Sequence, residues 1–536
     1  MEREKILTPK VHAALKSFGI FGWLLGVLGI VILSGVVALV WLTWNFQIQS
    51  QSAAANDRGS VTTHGDFAVG QPKKDDVLFR MAGSARIGEK LIAELAANWM
   101  RNNDFNGVTI SKRDKIITIS GLKGTQSKRI IIYLGSSTGG FEAMMENRIE
   151  GVIADREIAP SEADRLSAFG DMYNAESEKV IGHDVSFLFV NSSNGISSLN
   201  GDILSRIMSG DIKDWSEISP QESGKIEIYM ENLRGDSVSS PLAKILGETE
   251  IVDSVKSIEN AEKTIAAVRN DADGIGFAHR EGNIGSVKEI AFHERNARSF
   301  SANEFEVSTE AYPFTQRLYI YVPSAHANAQ IRSFADFALS EAGQVIVRRE
   351  GFGAHITQAL AYAAPPDAPT EYRNFSQTAR RMNFDFRFQL GANSFDNKAY
   401  ADLARFVIYM QKNDIGSNRV ALFGFADNVG SRDTNFGLAQ ARADAASTKL
   451  SQLGVNPALV RAFGDVMPVG ANAYEAGRIK NRRVEVWICP PPACPLMHMA
   501  APTTNLQVAP HQQGIPNGVR LGRPAKVQEG EIPIKG

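Results

Sequence analysis

One uncharged stretch near the N-terminus limits what this chain can fold into. Residues Phe18 to Trp44 include no charged side chain, and this stretch is longer than the roughly 20 apolar residues that an α-helix needs to cross a bilayer. Trp23 and Trp41 lie towards its ends, where interfacial aromatic side chains are favoured. The sequence therefore predicts a transmembrane helix over residues 18–44.

Basic residues are concentrated before this helix. Four precede it: Arg3, Lys5, Lys10 and Lys16. The next basic residue is Arg58. Because positive charge is retained on the cytoplasmic side, we expect residues 1–17 to be cytoplasmic and the rest periplasmic, as in a single-pass protein of the inner membrane. A cleavable signal peptide, cut near Ala53 to Ala55, is the competing interpretation, although its apolar core is usually only about 7–15 residues.

Composition excludes several classes of function. The chain has 57 Lys and Arg against 59 Asp and Glu, and without a basic run this balance argues against a nucleic-acid partner. No H-E-x-x-H or Walker sequence is present, and we expect no enzyme. The two cysteines, Cys489 and Cys494, lack the spacing of a zinc site, so no metal or cofactor is predicted. They could form a disulfide in an oxidising compartment, and two free thiols are the alternative.

The chain after the helix divides at polar segments. Residues 45–75 are rich in Gln, Ser, Ala and Gly, as in a flexible linker. Residues 76–356 alternate short apolar strands, such as Ile130–Leu134 and Val185–Val190, with helical periodicity. This pattern is typical of an α/β domain, and its length suits two lobes. A proline-containing segment, residues 357–382, is predicted to be a second linker.

A smaller α/β unit is predicted over residues 383–489. Its expected strands and helices are Phe384–Phe388, Asn397–Lys412 (helix), Val420–Phe425, Asn435–Leu453 (helix) and Arg483–Ile488. The tail, residues 490–536, is rich in Pro, Gly and Gln and is predicted to be disordered.

The smaller unit brings an acid and a base together. A predicted strand ends at Phe425, Asp427 and Asn428 begin a loop, and Asn435 is a suitable N-cap for the next helix. Residues at i, i+3, i+4 and i+7 share one face of that helix: Asn435, Leu438, Ala439 and Arg442. Asp427 and Arg442 are therefore expected to share a pocket that suits a zwitterion, with the Asp taking an ammonium and the Arg a carboxylate.

Three motifs in this unit resemble the OmpA-like peptidoglycan-binding domain. They are Gly424–Gly430, Asn435–Ala443 and Asn481–Glu485. The resemblance implies noncovalent binding of the diaminopimelate side chain of peptidoglycan stem peptides, with Asp427 and Arg442 holding its amino-acid end. Further site candidates are Asn435, Leu438, Asn428, Arg482 and Arg483, although the two arginines of the third motif could instead support the fold. Two departures, Ala426 for a threonine and Ala439 for a serine, remove hydroxyls near the pocket.

The middle unit resembles the solute-binding proteins of phosphate ABC transporters. The segments that carry the resemblance are Met81–Ile87, Leu134–Met144, Gly151–Ile158, Ile207–Ile218 and Gly274–Phe277. The resemblance implies a hinged, two-lobed fold with a ligand cleft between the lobes.

Helix N-termini and Ser/Thr hydroxyls in these segments suit an oxyanion. The phosphate-site residues that the resemblance implies are Ser84, Ala85, Ser136, Ser137, Thr138, Asp155, Arg234, Ser237 and Ser239. A carboxylate at Asp155 favours an anion that carries a proton over fully ionised sulfate. Val238 stands where the family usually has a glycine, and the loop is one residue short, so a domain that has lost its ligand remains an alternative.

The whole chain is therefore predicted to be an inner-membrane-anchored periplasmic protein, built as a two-lobed α/β domain followed by a smaller α+β domain. Its expected partners are peptidoglycan, phosphate or a similar oxyanion, and the inner membrane, and its expected role is that of a sensor or tether. The alternatives are a subunit that captures phosphate for an ABC transporter and a two-lobed scaffold that has lost its ligand.

Overall fold

The computed structural model describes residues 76–231, 241–280, 285, 287–294, 297–325, 328–389 and 394–495. The predicted transmembrane helix, the first linker and the tail beyond residue 495 lie outside these ranges. Within them, no helix combines the length and apolar character needed to span a membrane.

The middle domain is built on one long twisted sheet. Its strands, in chain order, are β1 (Val77–Ser84), β2 (Asn106–Arg113), β3 (Ile116–Lys123), β4 (Gln126–Gly135), β5 (Gly151–Ala154), β6 (Glu178–Asn191), β8 (Glu227–Glu231), β9 (Lys256–Ile258), β10 (Gly274–His279), β11 (Val287–Glu289) and β13 (Thr315–Tyr321). They lie in the order β2-β3-β4-β1-β5-β13-β6-β10-β8-β9, and β11 pairs with β6. Two short strands, β7 (Ser198–Asn200) and β12 (Ala291–His293), form a separate pair.

The two parts of this sheet, here called lobes, share β6, and the predicted α/β class of the domain is confirmed. The first part of β6 pairs with β13, with Val180 opposite Tyr319, and its last part pairs with β10, with Phe189 opposite Gly276. The chain crosses between lobes a second time at the start of β13. The first lobe (residues 76–185 and 315–356) and the second lobe (residues 186–314) each enclose apolar side chains of their own.

Helices cover the faces of the sheet, as the alternating pattern predicts. They are α1 (Ala85–Ile87), α2 (Ala93–Asn102), α3 (Ser137–Met145), α4 (Pro160–Arg165), α5 (Gly201–Met208), α6 (Pro241–Leu246), α7 (Ala261–Arg269), α8 (Glu304–Ser308), α9 (Ala329–Leu339) and α10 (Glu341–Arg349). A π-helical turn, Gly88–Ile92, joins α1 to α2.

The C-terminal domain has a five-stranded sheet in the order β14-β15-β18-β16-β17. Its elements are β14 (Ala359–Ala361), α11 (Thr370–Ser376), β15 (Arg380–Arg387), α12 (Asn397–Lys412), β16 (Val420–Gly424), α13 (Arg432–Gln452), β17 (Leu459–Ala462), α14 (Glu475–Asn481) and β18 (Arg483–Ile488). Among the described strands of this domain, only β16 and β17 pair in parallel, and the other pairings are antiparallel.

The structure corrects two boundaries of this domain. Residues 357–382 are not a linker, because β14 pairs with β15 and α11 packs into the domain, where Tyr372 is fully buried. The helix predicted from Asn435 begins earlier, at Arg432, and Ser431 is its N-cap, accepting a hydrogen bond from the Thr434 amide.

The two cysteines form a disulfide between Cys489 and Cys494, so the alternative of free thiols is wrong in this structure. The bond closes a short loop directly after β18. The Cys494 amide also donates to the carbonyl of Asn418, so the chain stays attached to the domain to that point.

Charged side chains of β15 and β18 form a buried ionic cluster. Glu485 is fully buried and accepts hydrogen bonds from Arg483 Nη2 at 2.9 Å and from Tyr372 Oη at 2.7 Å. Arg381 Nη2 lies 3.1 Å from Glu485 and 2.7 Å from Asp385. Burial alone would raise the pKa of Glu485, but Arg381 and Arg483 lower it below its usual range.

Candidate functional sites

Asp427 lies at the end of the strand–loop segment that follows β16, as predicted. Its carboxylate is almost fully buried. One oxygen accepts from the Val429 amide at 3.1 Å, and the other accepts from Arg482 Nη1 at 2.7 Å. Arg482 also donates to Glu475 at 2.6 Å. Asp427 is therefore a fixed acceptor that already has one cation beside it.

Arg442 extends from α13 towards the same region. It is 7% exposed, and its guanidinium lies 5.9 Å from the ring centre of Phe388. Among the described residues, its Nε and Nη1 atoms have no hydrogen-bond partner. Burial lowers the pKa of Arg442, and Arg482 lowers it further, whereas Asp427 opposes that shift. A buried guanidinium without an acceptor is costly, and a carboxylate from a ligand would satisfy it.

The remaining predicted residues of this site divide between surface and core. Leu438 is 38% exposed and Asn428 is exposed, so both are available at the surface. Asn435 is fully buried: its side-chain amide donates to Asp465 at 3.1 Å, and its Oδ1 has no partner among the residues described by the structure. Asn435 therefore lies inside the helix and is not its cap.

The two arginines of the third motif have different roles. Arg482 contacts Asp427 directly, as described above. Arg483 is fully buried, pairs with Glu485, and stacks 3.9 Å from the ring centre of Phe425. A guanidinium held in the core in this way cannot reach a ligand at the surface, so the structure removes Arg483 from the binding site.

Three strand ends in the first lobe assemble the predicted anion site. β1 ends at Ser84, β4 ends at Gly135 before α3, and β5 ends at Ala154 before Asp155. Since β4, β1 and β5 are parallel neighbours, their carboxyl ends meet at one edge of the sheet, where α/β proteins bind ligands. Ala85 is the first residue of α1 at the same edge.

Asp155 is the centre of this site. Ser84 Oγ donates to Asp155 Oδ2 at 2.6 Å, and Ser137 Oγ donates to Oδ1 at 2.6 Å. The Asp155 amide donates to Ser137 Oγ at 3.1 Å. Both hydroxyls are buried, and each can rotate to donate to an anion while the carboxylate accepts the anion's proton.

The helix after β4 supports this site. Ser136 accepts from the Gly139 amide at 3.1 Å and caps α3. Thr138 Oγ1 accepts from Arg156 Nη2 at 2.7 Å, and Arg156 also pairs with Glu162 through two contacts of 2.7 Å. Arg156 directly follows Asp155 in the chain, and this position was the only sequence signal for it. Arg234, Ser237 and Ser239 lie outside the described residues.

The segment Gly135 to Gly139 also satisfies the G-x-S-x-G spacing of hydrolase nucleophiles. In a hydrolase the central serine donates its proton to a histidine base. Here the central residue, Ser137, donates to the carboxylate of Asp155. The geometry is that of a hydroxyl cradle beside an acid.

A second charged cluster lies where the lobes meet and had no recognisable sequence signal. Arg86 Nε lies 3.0 Å from Asp184, and Asp184 lies 3.3 Å from His279 Nε2. His279 Nδ1 in turn lies 3.1 Å from Glu231. Although burial opposes it, Arg86 and His279 lower the pKa of Asp184 to about 2. These charged contacts connect the first lobe to the second lobe through Asp184 of β6.

Family comparisons divide the chain in the same way as the fold. Residues 387–482 match the OmpA family, and residues 125–342 match a PBP superfamily domain. The protein therefore carries an OmpA family domain at its C-terminus and a PBP-like superfamily domain in its middle.

Known proteins resemble one part of the chain at a time. Outer membrane porin F of Pseudomonas fluorescens is 34% identical over 107 residues, which are 20% of this chain and 32% of the porin, so the chain spans about a third of that relative's length. Protein SphX of Synechocystis is 24% identical over 242 residues, 41% of this chain and 68% of SphX. An ABC-type phosphate transport receptor from Vibrio cholerae matches 51% of this chain and 98% of its own, with 16% identity and a TM-score of 0.38.

Proposed function

We propose that this protein binds peptidoglycan noncovalently through its C-terminal domain and a protonated oxyanion, such as phosphate, through its middle domain. The first half rests on the surroundings of Arg442, a buried guanidinium near the carboxylate of Asp427. Its Nε and Nη1 have no acceptor in the part of the chain that the structure describes. Buried charges are normally paired. An unpaired guanidinium beside a fixed carboxylate is suited to bind a zwitterionic ligand, whose carboxylate pairs with the guanidinium and whose ammonium pairs with the acid.

The side chain of diaminopimelate provides both charges on one carbon. Its carboxylate would pair with Arg442, and its ammonium would join Arg482 at Asp427. Because Asp427 already pairs with Arg482, the ligand's ammonium contributes less binding free energy than its carboxylate does. The Arg442 contact is therefore expected to dominate both affinity and selectivity.

The hydroxyl cradle around Asp155 supports the second half of the proposal. Two buried serine hydroxyls lie beside a carboxylate that can only accept. A monoprotonated phosphate can donate to that carboxylate, and fully ionised sulfate cannot, so the latter would leave two anions facing each other. The same hydrogen bonds also favour the second candidate, a scaffold without a ligand, because they already satisfy Asp155.

The proposed location is the periplasmic side of the inner membrane, with residues 18–44 as the anchor. Support comes from the uncharged stretch, the basic residues before it, and the disulfide at Cys489 and Cys494, which is typical of an oxidising compartment. In this arrangement the protein would connect the membrane to the wall as a tether or sensor.

Co-sedimentation with purified diaminopimelate-type sacculi tests the wall-binding function. We expect the full-length protein to pellet with sacculi and a smaller fraction of Asp427→Ala to pellet with them. The substitution leaves Arg482 its second partner, Glu475, so the fold is expected to survive. The matched control is Asp444→Ala, an exposed acid further along α13. Full pelleting of Asp427→Ala would refute the site.

A further inference from the structure

The C-terminal domain contacts the first lobe through both ends of α12. At the beginning of the helix, Asn397 Nδ2 donates to the Tyr173 carbonyl at 2.9 Å and to Glu178 Oε1 at 3.1 Å. At its end, Lys412 pairs with Glu341 of α10. Glu178 is buried at this contact, and burial raises its pKa to about 7. The orientation of α12 relative to the first lobe is therefore fixed at two points.

The same domain also contacts the second lobe. Arg387, the last residue of β15, donates from Nη2 to the Thr309 carbonyl at 2.6 Å and lies 2.9 Å from Glu310. The Ala471 amide donates to Glu294 at 2.6 Å. These contacts come from two separate segments of the C-terminal domain, so the second lobe is also held at more than one point.

The crossing point between the lobes is part of this interface. Arg317 lies on β13, directly after the chain leaves the second lobe. It pairs with Glu310 of the second lobe at 2.6 Å and with Asp396, the N-cap of α12, at 2.8 Å. One guanidinium therefore joins a crossing strand, the second lobe and the C-terminal domain.

A cavity of about 920 Å³ lies between these three bodies. Arg156 and Glu157 line it from the first lobe, Lys244 from the second, and Phe388 and Lys480 from the C-terminal domain. Because both lobes and the C-terminal domain line this cavity, a rotation of one lobe relative to the other changes its shape and moves its walls relative to the C-terminal domain. The C-terminal domain contacts both lobes, and packed interfaces are not continuously deformable. It can therefore keep all of these contacts at only one angle between the two lobes.

We propose that the docked C-terminal domain is a brace that opposes closure of the lobes, so that an anion bound at Asp155 weakens docking. The inference rests on the proposed function, in which the middle domain binds an oxyanion, and on closure of hinged lobes around a ligand. Linkage is reciprocal, so weakened docking strengthens anion binding by the same factor. Phe388 follows Arg387 of the interface and faces Arg442, so the brace also adjoins the wall site.

The first test is calorimetry of the full-length protein with inorganic phosphate. The variant Asn397→Ala/Glu294→Ala removes the Asn397 hydrogen bonds to the first lobe and the Glu294 contacts of the second lobe, and it touches neither binding site. We expect it to bind phosphate at least about fivefold more tightly than the wild type, the lower end of usual coupling factors. The matched control is Arg349→Ala/Lys225→Ala, which removes three ion pairs that each lie within one lobe. Its affinity is expected to be unchanged.

The second test requires no change at the interface. Hydrogen–deuterium exchange of the wild type reports on the Ala471 amide, which docking protects through Glu294. Saturating phosphate is expected to accelerate exchange there. In Asp155→Leu, which removes the acceptor at the centre of the anion site, phosphate is expected to leave that exchange unchanged.

The outcomes separate the inference from the function on which it rests. If phosphate binds with equal affinity to the wild type and the interface variant, and exchange at Ala471 does not change, the brace is refuted while anion binding stands. If phosphate gives no heat with either protein, the proposed anion site is refuted, and the brace falls with it.

Discussion

Arg442→Ala is expected to weaken binding of a diaminopimelate stem peptide by roughly 10- to 150-fold, because a hydrogen bond to a charged group contributes about 1.5–3 kcal/mol. The guanidinium makes no hydrogen bond to another described residue through Nε or Nη1, so its loss breaks no such contact of the fold. We expect the free energy of unfolding to change by no more than about 1 kcal/mol, since the lost packing on Phe388 is offset by removal of a buried unpaired charge. Fluorescence polarisation with a labelled stem peptide and thermal melting measure the two quantities.

The matched control for this prediction is Lys449→Ala. Lys449 is a cation on the same helix, two turns after Arg442, where it lies 6.0 Å from the Tyr400 ring. Its removal is expected to leave peptide affinity unchanged. Equal affinities for the wild type and Arg442→Ala, or a loss of affinity explained by unfolding of the variant, would contradict the role given to Arg442.

Glu485→Gln is expected to destabilise the C-terminal domain by about 3–5 kcal/mol, the usual effect of removing one partner from a buried ion pair. Arg381 and Arg483 would both lose the anion that they share. Urea unfolding of the full-length protein, followed by circular dichroism, measures the change. Glu475→Gln is the control, because the Glu475 side chain is 40% exposed, and exposed ion pairs contribute at most about 1 kcal/mol.

The same cluster predicts a pH dependence. The pKa of Glu485 is lowered from its ordinary value of 4.5 by Arg381 and Arg483, against the effect of burial. A carboxyl group with a lowered pKa stabilises the fold above its unfolded pKa, and that stabilisation is lost as the pH falls towards the folded pKa. The wild type is therefore expected to lose stability below about pH 4.5, and Glu485→Gln is expected to lose less over that range. Identical acid profiles would show that Glu485 is not the group responsible.

Local patterns predicted the C-terminal elements well where the sequence has clear ends. The predicted bounds of α12 and β18 match the structure. Asp396 is a strong N-cap for α12, and after Arg483 the strand β18 is apolar except for Glu485. The start of α13 was wrong because two suitable caps, Ser431 and Asn435, compete within one turn. Gly430, with a φ of 104°, accommodates the turn before Ser431, and Asn435 is left inside the helix.

Proline content misled the prediction for residues 357–382. The prolines suggested a linker, but Tyr372 and Phe375 pack against Trp487 at ring distances of 5.5 and 5.6 Å. Two buried aromatic rings per seven-residue helix are enough to hold α11 on the domain. The apolar side chains were visible in the sequence, whereas the surface that receives them is formed only after β18 joins the sheet.

Charged pairs between distant segments could not be predicted from one sequence. Asp427 and Arg442 carry a family motif, so their meeting was expected. The Asp427–Arg482 pair and the Arg317–Asp396 pair join residues far apart in the chain, and each residue alone resembles a solvated surface charge. Their roles depend on how the domains dock, which no local pattern encodes.

We propose above all that Arg442 binds the carboxylate of the diaminopimelate side chain. The most direct measurement compares two stem peptides that differ only in having diaminopimelate or lysine at the third position, each titrated into the full-length protein. Lysine keeps the ammonium and lacks the carboxylate, so we expect it to bind roughly 10- to 150-fold more weakly, and we expect Arg442→Ala to bind the two peptides alike. Equal affinities of the wild-type protein for both peptides would contradict the account.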